Sequence, residues 1–363
     1  MKRALFCLIC VVLMISLSAC NGKQETSHNN TSVPASGQKE ESEQNQRTAM
    51  EEQKNAENVH SPSAIRDGEE NGFSQELMMK KPPFPLGEAY NTVLTATADA
   101  HVEQALYLWE EGNVPTVTNY TSNEDGYYYD DPDFRPYVTS MPVQKGVEIK
   151  GAVLLCAGGA FQFRGDYTDT IPTAEELNKL GFQCFIVDYR LHPYSQKEGA
   201  LDLARAVRFV RKNAEVYGID PDNIAVMGFS AGGIQAGEML LNYDGSVNGT
   251  ALDSNYVPDE LDSISADASA DGMIYSFYGV LSIASKDVEE LRGGNLPPTY
   301  FCYGTEDPFV SEFEANIKCL KEAGVEVESH VLESWPHGYG ANGDWVSEYA
   351  QWLERVFKNN EHK

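Results

Sequence analysis

Beyond residue 147, the chain alternates between short runs of β-branched and aromatic residues and longer segments whose apolar residues recur at helical spacing. This alternation indicates βαβ units, and therefore an α/β fold with a mostly parallel central sheet and helices on both faces. The predicted strands are residues 152–156, 183–189, 224–227, 273–278, 299–303 and 328–332, and the predicted helices are residues 173–180, 199–217, 231–241, 311–323 and 345–357. Ligands of such sheets bind beyond the carboxyl ends of the strands, where the motifs described below lie.

The pattern upstream of the predicted sheet is different. Residues 20–81 are rich in Gln, Glu, Asn, Ser and Lys and have no sustained apolar period, so we predict a disordered tether there. Three prolines at positions 82, 83 and 85 mark the predicted start of the ordered domain, residues 82–363. The apolar spacing of residues 98–111 predicts a helix, within an N-terminal helical extension over residues 82–146. The sequence leaves open whether the tether is a spacer or only a permissive or cleaved leader.

An aromatic stretch follows this predicted helix and contains Tyr127, Tyr128, Tyr129, Phe134 and Tyr137. Aromatic residues are more often part of the packing than of a binding site, and packing is our interpretation. Lining of a sugar or acyl site is the alternative.

The N-terminus has the layout of a signal peptide. Lys2 and Arg3 precede an apolar run over residues 4–15, which is too short to span a membrane. The following Leu17-Ser18-Ala19-Cys20 resembles the lipobox of bacterial lipoproteins, which implies removal of residues 1–19 and lipidation of Cys20. We therefore expect a protein that is lipid-anchored on the extracytoplasmic face of the cell membrane. An ordinary secretory signal with a chance cysteine is the alternative.

Charge and cysteine content narrow the classes of partner. Lys and Arg number 27 against 55 Asp and Glu, a formal charge of −28 that repels nucleic acids and anionic lipid headgroups. We expect no nucleic-acid partner, and membrane contact only through the lipid anchor. The cysteines beyond position 20 are too few for a disulfide framework and are predicted to be structural; they are Cys156, Cys184, Cys302 and Cys319. Neither a metal nor an organic cofactor is predicted.

The strongest chemical signal is the GxSxG motif at residues 228–232. It follows the predicted strand 224–227 and leads directly into a predicted helix, which is the strand, turn and helix context that this motif requires. Glycines at 228 and 232 permit a sharp turn that projects the hydroxyl of Ser230 away from the sheet. Ser230 is the predicted nucleophile.

A serine nucleophile needs a base and a carboxylate that orients the base. His337 lies in the loop after the last predicted strand, and Asp307 follows the strand before it, so the order is serine, acid, histidine. We predict His337 as the general base and Asp307 as its orienting acid. Glu306 is the neighbouring alternative for the acid, and Asp267 and Asp271 precede an earlier predicted strand.

The glycine-rich turn after the first of these strands is the candidate oxyanion hole. Backbone N–H groups of Gly159 and Ala160, together with that of Ala231 after the nucleophile, are predicted to stabilise a tetrahedral intermediate. A turn required only by the topology is the alternative. Phe161 and Trp335, beside the oxyanion loop and the base, are candidates for the wall of the acyl pocket.

Residues 151–358 resemble the α/β-hydrolase superfamily, specifically its bacterial acetyl-esterase and carbohydrate-esterase group. The resemblance implies a serine esterase that hydrolyses small acyl esters, foremost acetyl esters on carbohydrates, through an acyl-serine intermediate. The chain differs from many members of this group in two places. It has Ala160 where many relatives have glycine, and it has a long segment, residues 243–272, where relatives place cap elements. The resemblance rests on Gly158-Gly159-Ala160-Phe161, Asp188-Tyr189-Arg190-Leu191, Asp220-Pro221-Asp222-Asn223-Ile224, residues 228–233, Pro297-Pro298, Asp307 and Pro336-His337-Gly338.

Two other functions are compatible with this resemblance. A surface binding or adhesion lipoprotein would keep the hydrolase fold without turnover, because fold does not determine function. A dipeptidyl-peptidase-like hydrolase would use the same triad on amides, although no repeat precedes the domain. The expected partner is a small-molecule or oligosaccharide ester, whose acyl and alcohol groups the sequence does not identify.

Overall fold

The computed structural model describes residues 90–92 and 98–360. Within them, nine strands form one sheet in the order β1-β2-β3-β5-β4-β6-β7-β10-β11. Two further strands, β8 and β9, pair with each other in a separate antiparallel hairpin. The strands are β1 (Tyr90–Asn91), β2 (Gln104–Tyr107), β3 (Tyr137–Met141), β4 (Gly151–Cys156), β5 (Phe182–Asp188), β6 (Ile224–Phe229), β7 (Ala270–Ile274), β8 (Gly279–Val280), β9 (Ile283–Ala284), β10 (Thr299–Gly304) and β11 (Val327–Leu332).

The centre of the sheet is parallel. Strand β4 pairs with β5 and β6, and the parallel arrangement continues through β7, β10 and β11. Every residue of β4, β5 and β6 is buried, so both faces of the sheet are covered at its centre. Continuous apolar runs such as the one in β4 form strands of this kind, whereas alternating runs form strands with one exposed face.

Helices follow most of the parallel strands. Helix α2 begins with a capping box, in which Ser195 accepts from the backbone N–H of Glu198 and the Glu198 carboxylate accepts from that of Ser195. Helix α2 packs against α4, α1 packs against α7, and α5 packs against α6. The helices are α1 (Thr170–Lys179), α2 (Gln196–Lys212), α3 (Ala214–Tyr217), α4 (Ala231–Asn242), α5 (Val288–Gly293), α6 (Val310–Ala323) and α7 (Trp345–Asn360).

The predicted helix over residues 98–111 is wrong, and so is the predicted helical character of the extension 82–146 in its described residues, 90–92 and 98–146. This segment contains β2 and β3, with a short 3-10 helix at Glu124–Gly126 between them. Strand β2 pairs antiparallel with β3, and β3 pairs antiparallel with β5. Pairing with strands far along the chain supplies the hydrogen bonds that a helix would have made locally. Of the apolar positions that suggested the helix, Ala105, Leu106 and Trp109 are buried, whereas Val102 is exposed.

The predicted strand over residues 273–278 is displaced in the structure. Strand β7 ends at Ile274, and residues 275–278 leave the sheet at its carboxyl edge, where they contribute to the site described below. The predicted helix over residues 199–217 is divided at Asn213 into α2 and α3. The other predicted strands and helices occur with bounds that differ by a few residues. The predicted signal peptide, tether and Cys20 lie outside the described residues, as does the predicted start of the domain.

A buried polar cluster attaches the N-terminal segment to α2. The indole N–H of Trp109 donates to Asp202 Oδ1 at 2.6 Å, and the Arg190 guanidinium donates to the same carboxylate at 2.9 Å from both Nε and Nη2. Trp109 and Arg190 thus satisfy the Asp202 carboxylate, and the charges of Arg190 and Asp202 compensate each other. Within the described ranges, none of the helices has the length and hydrophobicity needed to cross a bilayer.

Candidate active site

The sharp turn between β6 and α4 carries the predicted nucleophile. Ser230 has φ 50° and ψ −120°, a strained conformation that lifts its side chain clear of the sheet edge. A Cβ at Gly228 would lie 2.2 Å from the backbone of Gly232, and one at Gly232 would lie 2.1 Å from the carbonyl oxygen of Cys156. Only glycine fits at these two positions, which explains why the motif has its form.

The structure brings together the three residues predicted as the triad. The His337 Nε2 atom lies 2.9 Å from Ser230 Oγ, and its Nδ1 atom lies 2.6 Å from Asp307 Oδ2. The Asp307 side chain is fully buried, whereas 28% of the His337 side chain is exposed. This is the geometry of a nucleophile and base within hydrogen-bond reach, with a carboxylate that fixes the imidazole tautomer.

The alternative acids lie elsewhere. The Glu306 side chain is exposed, and its backbone N–H donates to the carbonyl oxygen of Trp335. Asp271 is buried within β7 and accepts from the hydroxyl of Tyr278 at 2.7 Å. Asp267 accepts from Ser265 at a surface turn. Among these carboxylates, only Asp307 contacts the imidazole of His337.

Two aromatic rings border the imidazole. The ring of Tyr275 meets that of His337 edge to face at 4.9 Å between centroids, and Phe309 does so at 5.6 Å. The backbone N–H of Phe309 donates to Asp307 Oδ1 at 2.9 Å, so the loop after β10 orients the carboxylate as well. Rings on two sides restrict the orientation of the base before substrate binds.

The predicted oxyanion loop lies directly beside the nucleophile. A Cβ at Gly158 would lie 3.1 Å from Ser230 Cβ, and one at Gly159 would lie 2.0 Å from the carbonyl oxygen of Phe163. Gly159 and Ala160 have φ values of 136° and 53°. The loop is therefore tightly turned and has no space for a side chain at its first two glycines.

The N–H groups predicted as oxyanion donors are available. Among the described residues, no protein acceptor is present for the N–H of Gly159, Ala160 or Ala231. Ala231 is the first residue of α4, so its N–H points out of the helix N-terminus, where negative charge is stabilised. The neighbouring Gly158 N–H is already used, because it donates to Asp169 Oδ2 at 2.9 Å.

Asp169 is a buried carboxylate that the sequence did not indicate. Besides Gly158, it accepts from the hydroxyl of Tyr275 at 2.8 Å and from that of Thr168 at 3.2 Å. Burial raises the pKa of the Asp169 carboxyl to about 6, against the lowering effect of these hydrogen bonds. Asp169 therefore connects the oxyanion loop to the ring that borders His337.

Tyr275 and Ser276 are two further residues that the sequence analysis missed. The Ser276 hydroxyl donates to the carbonyl oxygen of Ser230 at 2.6 Å and supports the nucleophile turn. Tyr275 has φ 39° and immediately follows β7. Both were hidden inside the predicted strand 273–278. A strand ending at residue 274 would have placed them at the carboxyl edge of the sheet, where site residues are expected.

The two pocket candidates are placed differently from each other. The Phe161 side chain is 5% exposed and packs edge to face against His192 at 5.7 Å between centroids. Trp335 is half-buried and packs against Tyr339 at 5.8 Å. In the part of the chain that the structure describes, no group of three or more His, Cys, Asp or Glu side chains is arranged to bind a metal ion.

Comparison with known proteins identifies relatives that share this fold. A family model described as alpha/beta hydrolase fold matches residues 153–341, just over half of the chain. The acetylxylan esterase of Xylanibacter ruminicola is 24% identical over 215 residues, which cover 56% of this chain and 44% of that protein. Endo-1,4-beta-xylanase B of Butyrivibrio fibrisolvens is 26% identical over 177 residues, 43% of this chain and 27% of that protein. The chain thus spans less than half the length of either relative.

A solved structure gives a likeness of fold over a larger share of the chain. The acetyl ester-xyloside bifunctional hydrolase from Caldicellulosiruptor lactoaceticus superposes with a TM-score of 0.53 at 22% identity, covering 74% of this chain and 99% of that one.

Proposed function

The chain belongs to the α/β hydrolase fold family, and on that premise we propose that it is a serine esterase that hydrolyses small acyl esters through a covalent acyl-Ser230 intermediate. The fold class expected from the sequence, a mostly parallel sheet with helices, is confirmed. One observation carries the proposal: His337 Nε2 lies 2.9 Å from Ser230 Oγ while Nδ1 lies 2.6 Å from the buried Asp307.

The proposed reaction has two balanced halves. Ser230 Oγ attacks the ester carbonyl carbon while His337 Nε2 takes the hydroxyl proton, and the carbonyl oxygen becomes an oxyanion. The free N–H groups around Gly159, Ala160 and Ala231 donate to that oxyanion. Collapse of the intermediate expels the alcohol, which receives the proton from His337. In the second half, water attacks the carbonyl carbon of the acyl-enzyme while His337 takes its proton. Ser230 then regains a proton from His337 and the carboxylic acid is released.

We propose acetyl esters of carbohydrates as the substrate class. A relative named acetylxylan esterase supports this proposal, and so does the formal charge of −28, which disfavours anionic substrates. The methyl group of Ala160, in a position that is glycine in many relatives, narrows the space beside the acyl carbon. Each methylene that finds no room forfeits about 0.8 kcal/mol of burial, so longer acyl chains are penalised.

The function is tested with p-nitrophenyl esters and an active-site serine phosphonate. We expect wild-type protein to turn over the acetate and to be labelled at Ser230, while folded Ser230→Ala does neither. The acetyl ester should react at least about tenfold faster in kcat/KM than the butyryl ester, and the octanoyl ester should barely react. Folded wild-type protein without turnover or labelling would indicate a binding protein, and a preference for octanoate would refute the small-acyl assignment.

We also propose that the protein is lipid-anchored outside the cytoplasm. The support is Leu17-Ser18-Ala19-Cys20 after a short apolar run. Cys20→Ser should abolish metabolic labelling with palmitate and release the protein from the membrane fraction, because no acyl chains would be attached. Cys319→Ser, which changes a cysteine outside the signal, is the control and should keep both properties. Unchanged labelling of Cys20→Ser would contradict the anchor.

A further inference from the structure

Four tyrosines outside the triad form a continuous surface that the proposed mechanism does not use. The rings meet edge to face in a chain, with centroids 5.8 Å apart for Tyr194 and Tyr120, 5.5 Å for Tyr120 and Tyr128, and 4.9 Å for Tyr128 and Tyr127. The chain ends at Tyr127, which is 73% exposed. We call these four residues the tyrosine surface.

The loop that carries the tyrosine surface is held by its own hydrogen bonds. The Tyr120 hydroxyl donates to the carbonyl oxygen of Asp130 at 2.8 Å. The Asn123 side chain accepts from the N–H of Tyr128 at 2.9 Å and donates to its carbonyl oxygen at 3.0 Å. These bonds fix the positions of the rings before any ligand arrives, so binding loses little conformational entropy.

An ion pair attaches this loop to the oxyanion loop. The Arg164 guanidinium donates two hydrogen bonds to the Asp130 carboxylate, at 2.8 and 2.9 Å, and both side chains are buried. Tyr127 is three residues before Asp130, so their Cα atoms are at most about 11 Å apart. Arg164 is in turn only four residues beyond Ala160. The exposed end of the tyrosine surface is therefore connected to the oxyanion loop through this buried ion pair.

The other end of the tyrosine surface reaches the same loop through backbone contacts. Tyr194 is two residues beyond His192, and the His192 N–H donates to the carbonyl oxygen of Phe161 at 2.8 Å. Phe161 directly follows Ala160. Two independent connections thus attach both ends of the tyrosine surface to the loop that carries the predicted oxyanion hole.

We propose that the tyrosine surface binds the neutral pyranose chain whose ester is presented to Ser230, a proposal that rests on the proposed function. An exposed tyrosine on a loop that is attached to the oxyanion loop offers an apolar face to the C–H face of a sugar ring and a hydroxyl to its polar edge. Exposed acids flank Tyr127, among them Glu124, Asp125 and Asp131, and they accept hydrogen bonds from sugar hydroxyls while repelling anionic ligands. A cation binds over a ring face, and the face of Tyr194 is already occupied by the Arg190 guanidinium, at 5.5 Å from the ring centroid.

The test compares two substrates on one variant. Tyr127→Ala should lower kcat/KM for an acetylated xylo-oligosaccharide about three- to tenfold, mainly through KM, and leave kcat/KM for p-nitrophenyl acetate unchanged, because only the longer substrate reaches the ring. Tyr127→Phe should restore most of the loss. Val216→Ala, which shortens another exposed apolar side chain on α3, is the matched control and should alter neither substrate.

A binding measurement separates this proposal from the proposed function. Titration of Ser230→Ala with unacetylated xylo-oligosaccharide should show saturable binding that Tyr127→Ala weakens. If wild type hydrolyses p-nitrophenyl acetate but Tyr127→Ala leaves oligosaccharide turnover and binding unchanged, the tyrosine surface is not a sugar site and the esterase assignment stands. A selective loss with acetylcholine instead would identify a cation site and overturn the proposal. Absence of p-nitrophenyl acetate turnover in wild type refutes the esterase itself.

Discussion

Ser230 lies between two groups of residues that act through different chemical groups, side chains on one side and backbone N–H groups on the other. On one side, His337 and Asp307 are side chains on the loops after β11 and β10, linked by single hydrogen bonds and bordered by rings. On the other side, the oxyanion loop presents backbone N–H groups and is held by buried charges. The side that must move a proton keeps a partly exposed imidazole, whereas the side that must stabilise charge is rigid, as electrostatic preorganisation requires.

The rigidity of the oxyanion side comes from one guanidinium among carboxylates. Arg164 donates to Asp130 and, at 3.0 Å, to Asp188 at the end of β5. Burial, together with the nearby Asp166, raises the pKa of the Asp188 carboxyl well above its usual range. The Arg164 guanidinium opposes this effect at Asp188 and compensates the buried Asp130 carboxylate, so both acids lose their cationic partner if Arg164 is removed.

The largest expected effect is on the proton-transfer side. Asp307→Asn should lower kcat for p-nitrophenyl acetate about 10³- to 10⁴-fold, because the asparagine favours the wrong imidazole tautomer, and the fold should be retained. Glu306→Gln is the matched control, since that side chain is exposed, and it should stay near wild type. The reverse ranking of the two variants would identify Glu306 as the orienting acid and show that the buried position of Asp307 is not functional.

The next effect concerns the oxyanion side. Arg164→Met should lower the free energy of unfolding by about 3–5 kcal/mol in urea titrations, because it leaves buried carboxylates without compensation. Arg355→Met removes a pair with Glu328 in which both side chains are about half exposed, and it should cost less than about 1 kcal/mol. Equal effects of the two substitutions would show that buried charge does not hold the loop.

The smallest effect is a pH dependence at Asp169. Its folded-state pKa, about 6, lies above the ordinary aspartate value of 3.8, so the neutral carboxyl stabilises the fold at low pH and that stability is lost as pH rises through 6. Relative to Asp169→Asn, wild type should lose about 2 kcal/mol between pH 4 and pH 7, measured as unfolding free energy at each pH.

Asp169→Asn itself provides the reference, because an amide in the same position does not titrate. The groups that face this carboxyl are Tyr275, Thr168, the Gly158 N–H and, at longer range, Asp166. The stability difference between wild type and variant should be constant above pH 7. A difference that is flat from pH 4 upward would show that Asp169 is ionised throughout and that its burial is compensated by its hydrogen bonds.

Much of the triad arrangement follows from local sequence. The turn at Gly228, Ser230 and Gly232 is determined by residues that are neighbours along the chain, and its glycines are required by contacts within that turn and with the adjacent strand. Asp307 and His337 follow strands whose apolar runs are visible in the sequence. Because parallel strands place their carboxyl ends at one edge, the order of these motifs was sufficient to predict that they meet.

The remainder of the site depends on residues brought together only by folding. The segment around β2 has a helical pattern, but its residues pair with partners 30 to 36 positions further along the chain, and no local signal indicates such partners. Asp169 accepts from Tyr275, which is 106 residues further along the chain, and Asp130 pairs with Arg164 across 34 residues. A carboxylate in a sequence is ordinarily a surface group, and its pKa and its partners change only when packing removes it from water. Sequence therefore determined the order and identity of the reacting groups, while tertiary structure decided which charges are buried, because burial is a property of the assembled chain and not of any segment.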